Sequence, residues 1–131
     1  MLLIKIWTKQ KNLANIYKVT KIISYQDFER VDIRVGTIIS AKENFKLKKP
    51  SIILEIDFGK KIGTKKSSAQ FTKNYKSNDL INKQVAAVIN FAPKQIGNLI
   101  SEVLVLGFPN EHNEPILIEP NQTIPNGGRL F

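Results

Sequence analysis

Gly63-Thr64-Lys65-Lys66-Ser67-Ser68-Ala69-Gln70-Phe71-Thr72 is the stretch on which the reading of this chain turns. It reads as a β-strand, yet its middle positions are two lysines, two serines, an alanine and a glutamine, with almost no bulky apolar face. A strand gains stability by sending every second side chain into a core, so packing alone does not account for this composition. Short hydroxyls and an amide beside two ammonium groups make a surface suited to phosphate and sugar oxygens. The plainer alternative is a solvated strand whose lysines protect an edge.

Taken as a strand, the segment is the third in an ordered series. Ser24, with Asp27 three residues on, resembles a capping arrangement for one helical turn over Ser24 to Arg30, with Tyr25 and Phe28 available to the core. Val31-Asp32-Ile33-Arg34-Val35 alternates apolar with polar as a half-buried strand does, and Gly36 suggests a bulge or bend before Thr37-Ile38-Ile39. A lysine-rich loop, Lys42 to Pro50, leads to a second strand with Ile52, Leu54, Ile56 and Phe58 on one face, closed by Gly59-Lys60-Lys61. After the third strand, Ser77 to Lys83 reads as a turn or short helix, and Val85 to Phe91 as a fully buried fourth strand that Pro93 breaks. Ser101 to Phe108 supplies a fifth strand, followed by a polar turn at 110–114 and a short strand from Ile116 to Ile118. Short strands in this number, with a small helix between the third and fourth, predict an all-β fold: a five-stranded Greek-key barrel of the oligonucleotide/oligosaccharide-binding (OB) type.

Charge is unevenly spread. The 131-residue chain has 20 Lys and Arg against 11 Asp and Glu, a net charge of +9. Residues 1–23 hold five Lys and no acid, and residues 42–76 hold ten Lys against Glu43, Glu55 and Asp57, whereas residues 77–131 are slightly acidic. A localised basic face is the electrostatic footprint of a polyanion binder, although a lysine-rich proteome would leave the same bias. Seventeen of the cations are Lys, mobile point charges that suit backbone tracking more than planar base readout by Arg.

Composition also narrows the chemistry. With no Cys there are no disulfides, thiolate metal sites or cysteine nucleophiles. The lone His112 sits in the polar run Asn110-Glu111-His112-Asn113-Glu114, where a turn role outweighs metal ligation. No carboxylate pair, Gly-rich phosphate loop or nucleophile with a base is visible, so the chain is expected not to be an enzyme and to need no cofactor or metal. Residues 1–23 read as an N-terminal extension that packs on the domain or on a partner chain, with the domain proper over 24–131. Lys5 interrupts the apolar residues Leu2, Leu3, Ile4, Ile6 and Trp7, so neither membrane insertion nor a secretory signal is expected there. An acid-free arm leaves an organellar address open, while its lack of Arg argues against the usual mitochondrial type.

Five ordered motifs carry a family resemblance. They are Phe28-Glu29-Arg30-Val31-Asp32-Ile33-Arg34-Val35-Gly36, Ile56-Asp57-Phe58-Gly59, Lys66-Ser67-Ser68-Ala69-Gln70, Val88-Ile89-Asn90-Phe91-Ala92-Pro93-Lys94 and Ser101-Glu102-Val103-Leu104-Val105-Leu106-Gly107. With the ending Pro120-Asn121-Gln122 and Ile124-Pro125-Asn126-Gly127, this set resembles the CsaA type of the tRNA-binding domain family over residues 24–131. The resemblance implies an OB-fold, a homodimer, kinship with the tRNA-binding appendages of methionyl- and tyrosyl-tRNA synthetases, and a cytoplasmic chaperone role related to protein export. The chain departs from the family pattern in its N-terminal arm, in Ala92 and Lys94 where Pro and Arg are more usual, and at Gly97-Asn98-Leu99-Ile100.

Within such a domain the motifs take physical roles. Lys65, Lys66 and Lys94 supply phosphate attraction, while Ser67, Ser68, Gln70 and Asn90 offer directional hydrogen bonds to RNA. Ser101 and Glu102 match a family position beside the binding surface, for RNA or peptide; Glu102 repels phosphate, so it is expected to orient a lysine or accept from a base or peptide amide. Phe71, Tyr75 and Phe91 are stacking candidates, though alternation favours the core for each. Asp32 and Arg34 read as a structural ion pair. The expected partners are tRNA or tRNA-like RNA, unfolded or export-bound polypeptide, and a second copy of the chain.

Overall fold

The computed structural model describes residues 21–46, 49–70 and 74–131. Residues 1–20 of the expected arm, and Phe71 and Thr72 of the expected third strand, lie outside the described residues.

Ser24 caps α1 (Tyr25–Glu29) as its spacing predicts: its Oγ accepts from the Asp27 N–H, and Asp27 Oδ2 accepts from the Ser24 N–H, both at 3.1 Å. The helix nevertheless lies outside the core. Tyr25 is exposed and Phe28 only half-buried, because one helical turn at the rim faces the C-terminal residues, not the barrel.

β1 (Ile33–Asn44) is a single strand of 12 residues where sequence suggested two short runs and an early loop. Gly36 lies in it without bending it; a Cβ there would sit 2.6 Å from Ile56 Cγ2 and 2.8 Å from the Phe58 ring. Close approach of core side chains therefore requires glycine, and the bulge falls further on. Pairing with β2 (Ser51–Asp57) shifts between Ile38 and Ser40, leaving the extra residue Ile39 turned outward.

β3 (Thr64–Ala69) pairs with β2 and is followed by α2 (Ser77–Leu80) and β4 (Gln84–Val88). The expected fourth strand ends earlier than its apolar run. The Ile89 N–H still meets the opposed Asp32 carbonyl at 2.9 Å, but Asn90 and Phe91 emerge into solvent. The expected fifth strand is likewise divided. It becomes the end of β6 (Leu99–Ser101, paired with β5, Lys94–Ile96), then β7 (Leu104–Val105) and β8 (Gly107–Pro109), which forms a hairpin with β9 (Pro115–Leu117).

The five-stranded sheet runs β3-β2-β1-β4-β7, antiparallel throughout, and curls into the half-barrel expected of the OB-like class. Ile38, Ile52, Leu54, Ile56, Phe58, Leu80, Val85, Val103 and Val105 fill it, all with at most 1% exposure. Each such side chain contributes about 1.5–3 kcal/mol of gross burial energy. Residues 127–130 run beside the first half of β1, with the Gly127 N–H on Val35 O and the Leu130 N–H on Ile33 O, both at 2.8 Å. Asp32 and Arg34 form the expected ion pair at 2.6 Å, and Arg34 Nη1 also reaches Gly127 O at 2.9 Å, fastening that segment to the barrel.

Candidate nucleic-acid interface

Strand register sorts the basic side chains. Lys42 and Ile53 lie in one cross-strand row, and Ser40, Glu55 and Lys66 in the next, on the outer face of β1–β3; Ser68, which completes the first row, is buried. Ile38, Ile56 and Lys65 form an alternate row on the concave side. Lys65 and Lys66 consequently stand on opposite faces, and only Lys66 joins Lys42 outside. Its Nζ is 4.0 Å from Glu55 Oε1 with both side chains 40% exposed or more, a contact too solvated to hold the ammonium in place. Exposed Lys46 and Lys49 flank one end of this face, and exposed Lys60 and Lys61, in the β2–β3 turn, the other. The Asn44 carboxamide accepts from the Lys46 N–H at 3.1 Å and fixes the start of the β1–β2 connection.

The serines have another position. Ser67, Ser68 and Ser101 are at most 2% exposed and lie where β3 meets residues 101–103. Ser67 Oγ donates to the Val103 carbonyl at 3.1 Å, Ser101 Oγ donates to the same oxygen at 3.4 Å, and Ser101 Oγ accepts from the Ser68 N–H at 3.2 Å. Glu102 completes this seam: its N–H donates to Lys66 O and its Oε2 accepts from the Lys66 N–H, each at 2.8 Å. The peptide amide that Glu102 meets is thus one of this chain's own. Side chains here supplement backbone pairing, which accounts for the hydroxyl of Ser67 on β3. Ser68 Oγ itself is buried without a partner, as are Ser51 Oγ and Asn44 Nδ2.

The other expected residues are spread over the rim. Gln70 is half-buried just past β3, and Lys94 is half-buried at the start of β5, opposite Ser101. Asn90 acts as a clamp: its Oδ1 accepts from the Asp32 N–H at 2.9 Å and its Nδ2 donates to Arg30 O at 2.7 Å. Beside it Phe91 is 42% exposed, contrary to the core placement that alternation favoured, since the strand has already ended. Asp27, Arg30, Val31, Asn90 and Phe91 line a groove of about 480 Å³ that no sequence motif announced. Tyr75 is half-buried and its hydroxyl accepts from the Leu117 N–H at 3.0 Å. His112 lies exposed in the 110–114 turn. Among the described residues, no group of three or more His, Cys, Asp or Glu is placed to hold a metal, and no helix is long and apolar enough to cross a membrane.

The profile of the family described as "Putative tRNA binding domain" matches residues 33–129. Chaperone CsaA from Bacillus anthracis is 44% identical and superposes with a TM-score of 0.80, over 85% of this chain and 100% of that one. The CsaA chaperone protein from Picrophilus torridus is 46% identical with a TM-score of 0.77, over 84% and 100% of the two chains. Among longer relatives, the methionine–tRNA ligase of Bacteroides fragilis is 27% identical over 126 residues, 94% of this chain but 18% of the ligase. That of Methanococcoides burtonii is 34% identical over 101 residues, 77% of this chain and 14% of the ligase. The chain thus spans less than a fifth of the length of these ligases.

Proposed function

Because this chain belongs to the tRNA-binding domain family, and to its CsaA type, we propose that it is a non-enzymatic, dimeric cytoplasmic chaperone for unfolded or export-bound polypeptide that also binds tRNA-type RNA. The observation carrying the RNA half is the outer face of β1–β3, where Lys42 and Lys66 lie between Lys46 and Lys49 at one end and Lys60 and Lys61 at the other. Mobile ammonium groups spread along a sheet track a phosphate backbone without reading sequence. Lys65, on the concave side of β3, and Gln70 and Lys94, at the rim, are the further contacts of this reading. Ser67, Ser68, Ser101 and Glu102 support it indirectly by holding β3 in place, and Asn90 by holding the end of α1. The alternative, a structure-selective tRNA-binding protein with no chaperone role, draws on the same lysines and on the ligase relatives.

The dimer rests on an apolar patch at the chain's rim. Tyr25, Leu130 and Phe131 are each at least 50% exposed, on a groove of about 410 Å³ lined also by Phe28, Val31 and Arg129 among others. Exposed apolar surface gathered in this way marks a partner surface. Sedimentation of the full chain should give a dimer at micromolar concentration, and a monomer would remove this part of the reading.

Replacement of Lys65 and Lys66 with Gln tests the division of labour. RNA affinity should fall across sequences, with the salt dependence flattened by roughly 0.7 log unit for each phosphate no longer neutralised, while suppression of client aggregation is unchanged. Equal loss of both activities in a folded variant would mean one shared site. Unchanged RNA affinity would take β3 out of the interface.

A further inference from the structure

We propose that the β8–β9 hairpin is a polypeptide-docking surface, selective for short segments in which an apolar side chain stands next to Lys or Arg. The inference rests on the polypeptide-binding half of the reading above and assigns it a place separate from the lysine face.

Phe108 and Ile116 are directly opposite one another in the hairpin, and they are 68% and 41% exposed. Directly opposed residues send their side chains to the same face of a pair, so the two form one apolar platform pointing away from the barrel. On the other face Pro115 is buried and Leu117 packs against the core, which holds the platform outward. The hairpin is also rigid. Asn110 anchors its turn, with Oδ1 accepting from the N–H groups of His112 and Glu114 at 2.9 Å, its own N–H on Glu114 O at 2.9 Å and its carbonyl accepting from the Asn113 N–H at 3.0 Å. An exposed phenylalanine on so fixed a support is presented to a partner at little ordering cost.

Charge identifies the partner. In a chain of net charge +9, residues 107–119 carry Glu111, Glu114 and Glu119 and no Lys or Arg. Glu119 is 3.7 Å from Lys83, Glu111, whose side chain is 86% exposed, is 3.8 Å from His112 Nε2, and Glu114, one residue before Pro115, accepts from Asn110 Nδ2 at 3.3 Å, so the charges carried by the hairpin itself are negative. Phosphate is repelled here and a basic segment attracted, so RNA and client are separated by sign. The mode of recognition follows from the backbone. The Asn110–Glu114 and Leu106–Ile118 bonds put Phe108 and Ile116 in the hydrogen-bonded register, so the outer edges fall to residues 107, 109, 115 and 117. Pro109 and Pro115 have no N–H, and the Leu117 N–H already donates to Tyr75. Strand addition is therefore disfavoured, and side chains must make the contact.

The test uses the full, isotope-labelled chain and two synthetic ten-residue peptides, one of alternating Leu and Lys and one of alternating Leu and Glu, together with a permanently unfolded protein. The Leu–Lys peptide should shift the amide signals of residues 107–117 and bind at least tenfold more tightly than the Leu–Glu peptide. Phe108→Ser should weaken it about tenfold, and Glu111→Lys about threefold, with the thermal melt unchanged; Glu111→Lys alone decides the matter if Phe108→Ser does not fold. Binding of the unfolded protein that survives both substitutions would overturn the hairpin site while leaving the chaperone reading intact. No binding of the unfolded protein by the unaltered chain would overturn that reading itself. Shifts at residues 107–117 produced by RNA, or by raising protein concentration without peptide, would overturn the proposal by assigning the surface to RNA or to a second copy.

Discussion

The outer face of β1–β3 and the outer face of the β8–β9 hairpin are both antiparallel pairings with one side turned to solvent, yet they offer opposite chemistry. On β1–β3 the outward rows carry Lys42, Ser40 and Lys66, with Glu55 too solvated to cancel the charge. On the hairpin the outward row is Phe108 with Ile116, and the nearby charges are glutamates. Backbone geometry cannot tell these surfaces apart, since the same pleat and the same alternation produce both. What differs is the residue placed at each outward position, so one small barrel can present two surfaces that do not compete.

If both surfaces depend on one barrel, damage to the barrel should remove them together. Gly36→Ala places a methyl against Ile56 and the Phe58 ring. It should cost about 2–3 kcal/mol and lower the melting temperature by roughly 4 °C per kcal/mol, with RNA and peptide binding disappearing in step with folding. Loss of one activity at a temperature where the protein is folded would break the comparison.

The next effect should be selective. Substituting Lys42 and Lys66 together with Gln should reduce RNA affinity about 16-fold at 0.15 M salt, from about fourfold per single-strand phosphate contact, and leave peptide affinity within error in a fluorescence titration. Taken singly, Lys66→Gln should weaken RNA binding more than Lys65→Gln, because the two side chains occupy opposite faces of β3.

Smaller effects belong to the seam. Ser67→Ala removes a buried hydrogen bond to Val103 O and should cost about 1 kcal/mol in chemical denaturation. Ser68→Ala removes a buried hydroxyl that has no partner and should change stability by less than about 0.5 kcal/mol, or increase it. A clear loss of RNA affinity in Ser68→Ala, with stability unchanged, would return that serine to the interface and blur the line between scaffold and binding face.

How far each feature was legible depends on the range of the interaction behind it. The Ser24–Asp27 cap, the alternation of Ile52, Leu54, Ile56 and Phe58, and the turn around Asn110 arise within a few residues, so spacing alone exposed them. The five motifs led to the OB-like half-barrel because their order reflects an order of strands. Apolar runs were less reliable at their ends. Val85 to Phe91 looked uniformly buried, but regular pairing ends at Val88, Asn90 is drawn to Asp32 and Arg30, and Phe91 lies at the surface.

Local pattern along the chain thus exposed the alternation in the second strand, the presence of strands near the expected positions though not their ends, and the gathering of positive charge between Lys42 and Lys76. Contacts across the folded sheet are what place Ser67, Ser68 and Ser101 in a seam, set Glu102 on the Lys66 amide, and separate Lys65 from Lys66. The same folding put Phe108 opposite Ile116. The reason is physical: a hydroxyl, a carboxylate or a phenylalanine has the same composition whether it faces solvent or a neighbouring strand. For the hydroxyls and for Glu102 the role is set by contacts more than 30 positions apart, as between Ser67 and Val103, which exist only once the sheet has curled.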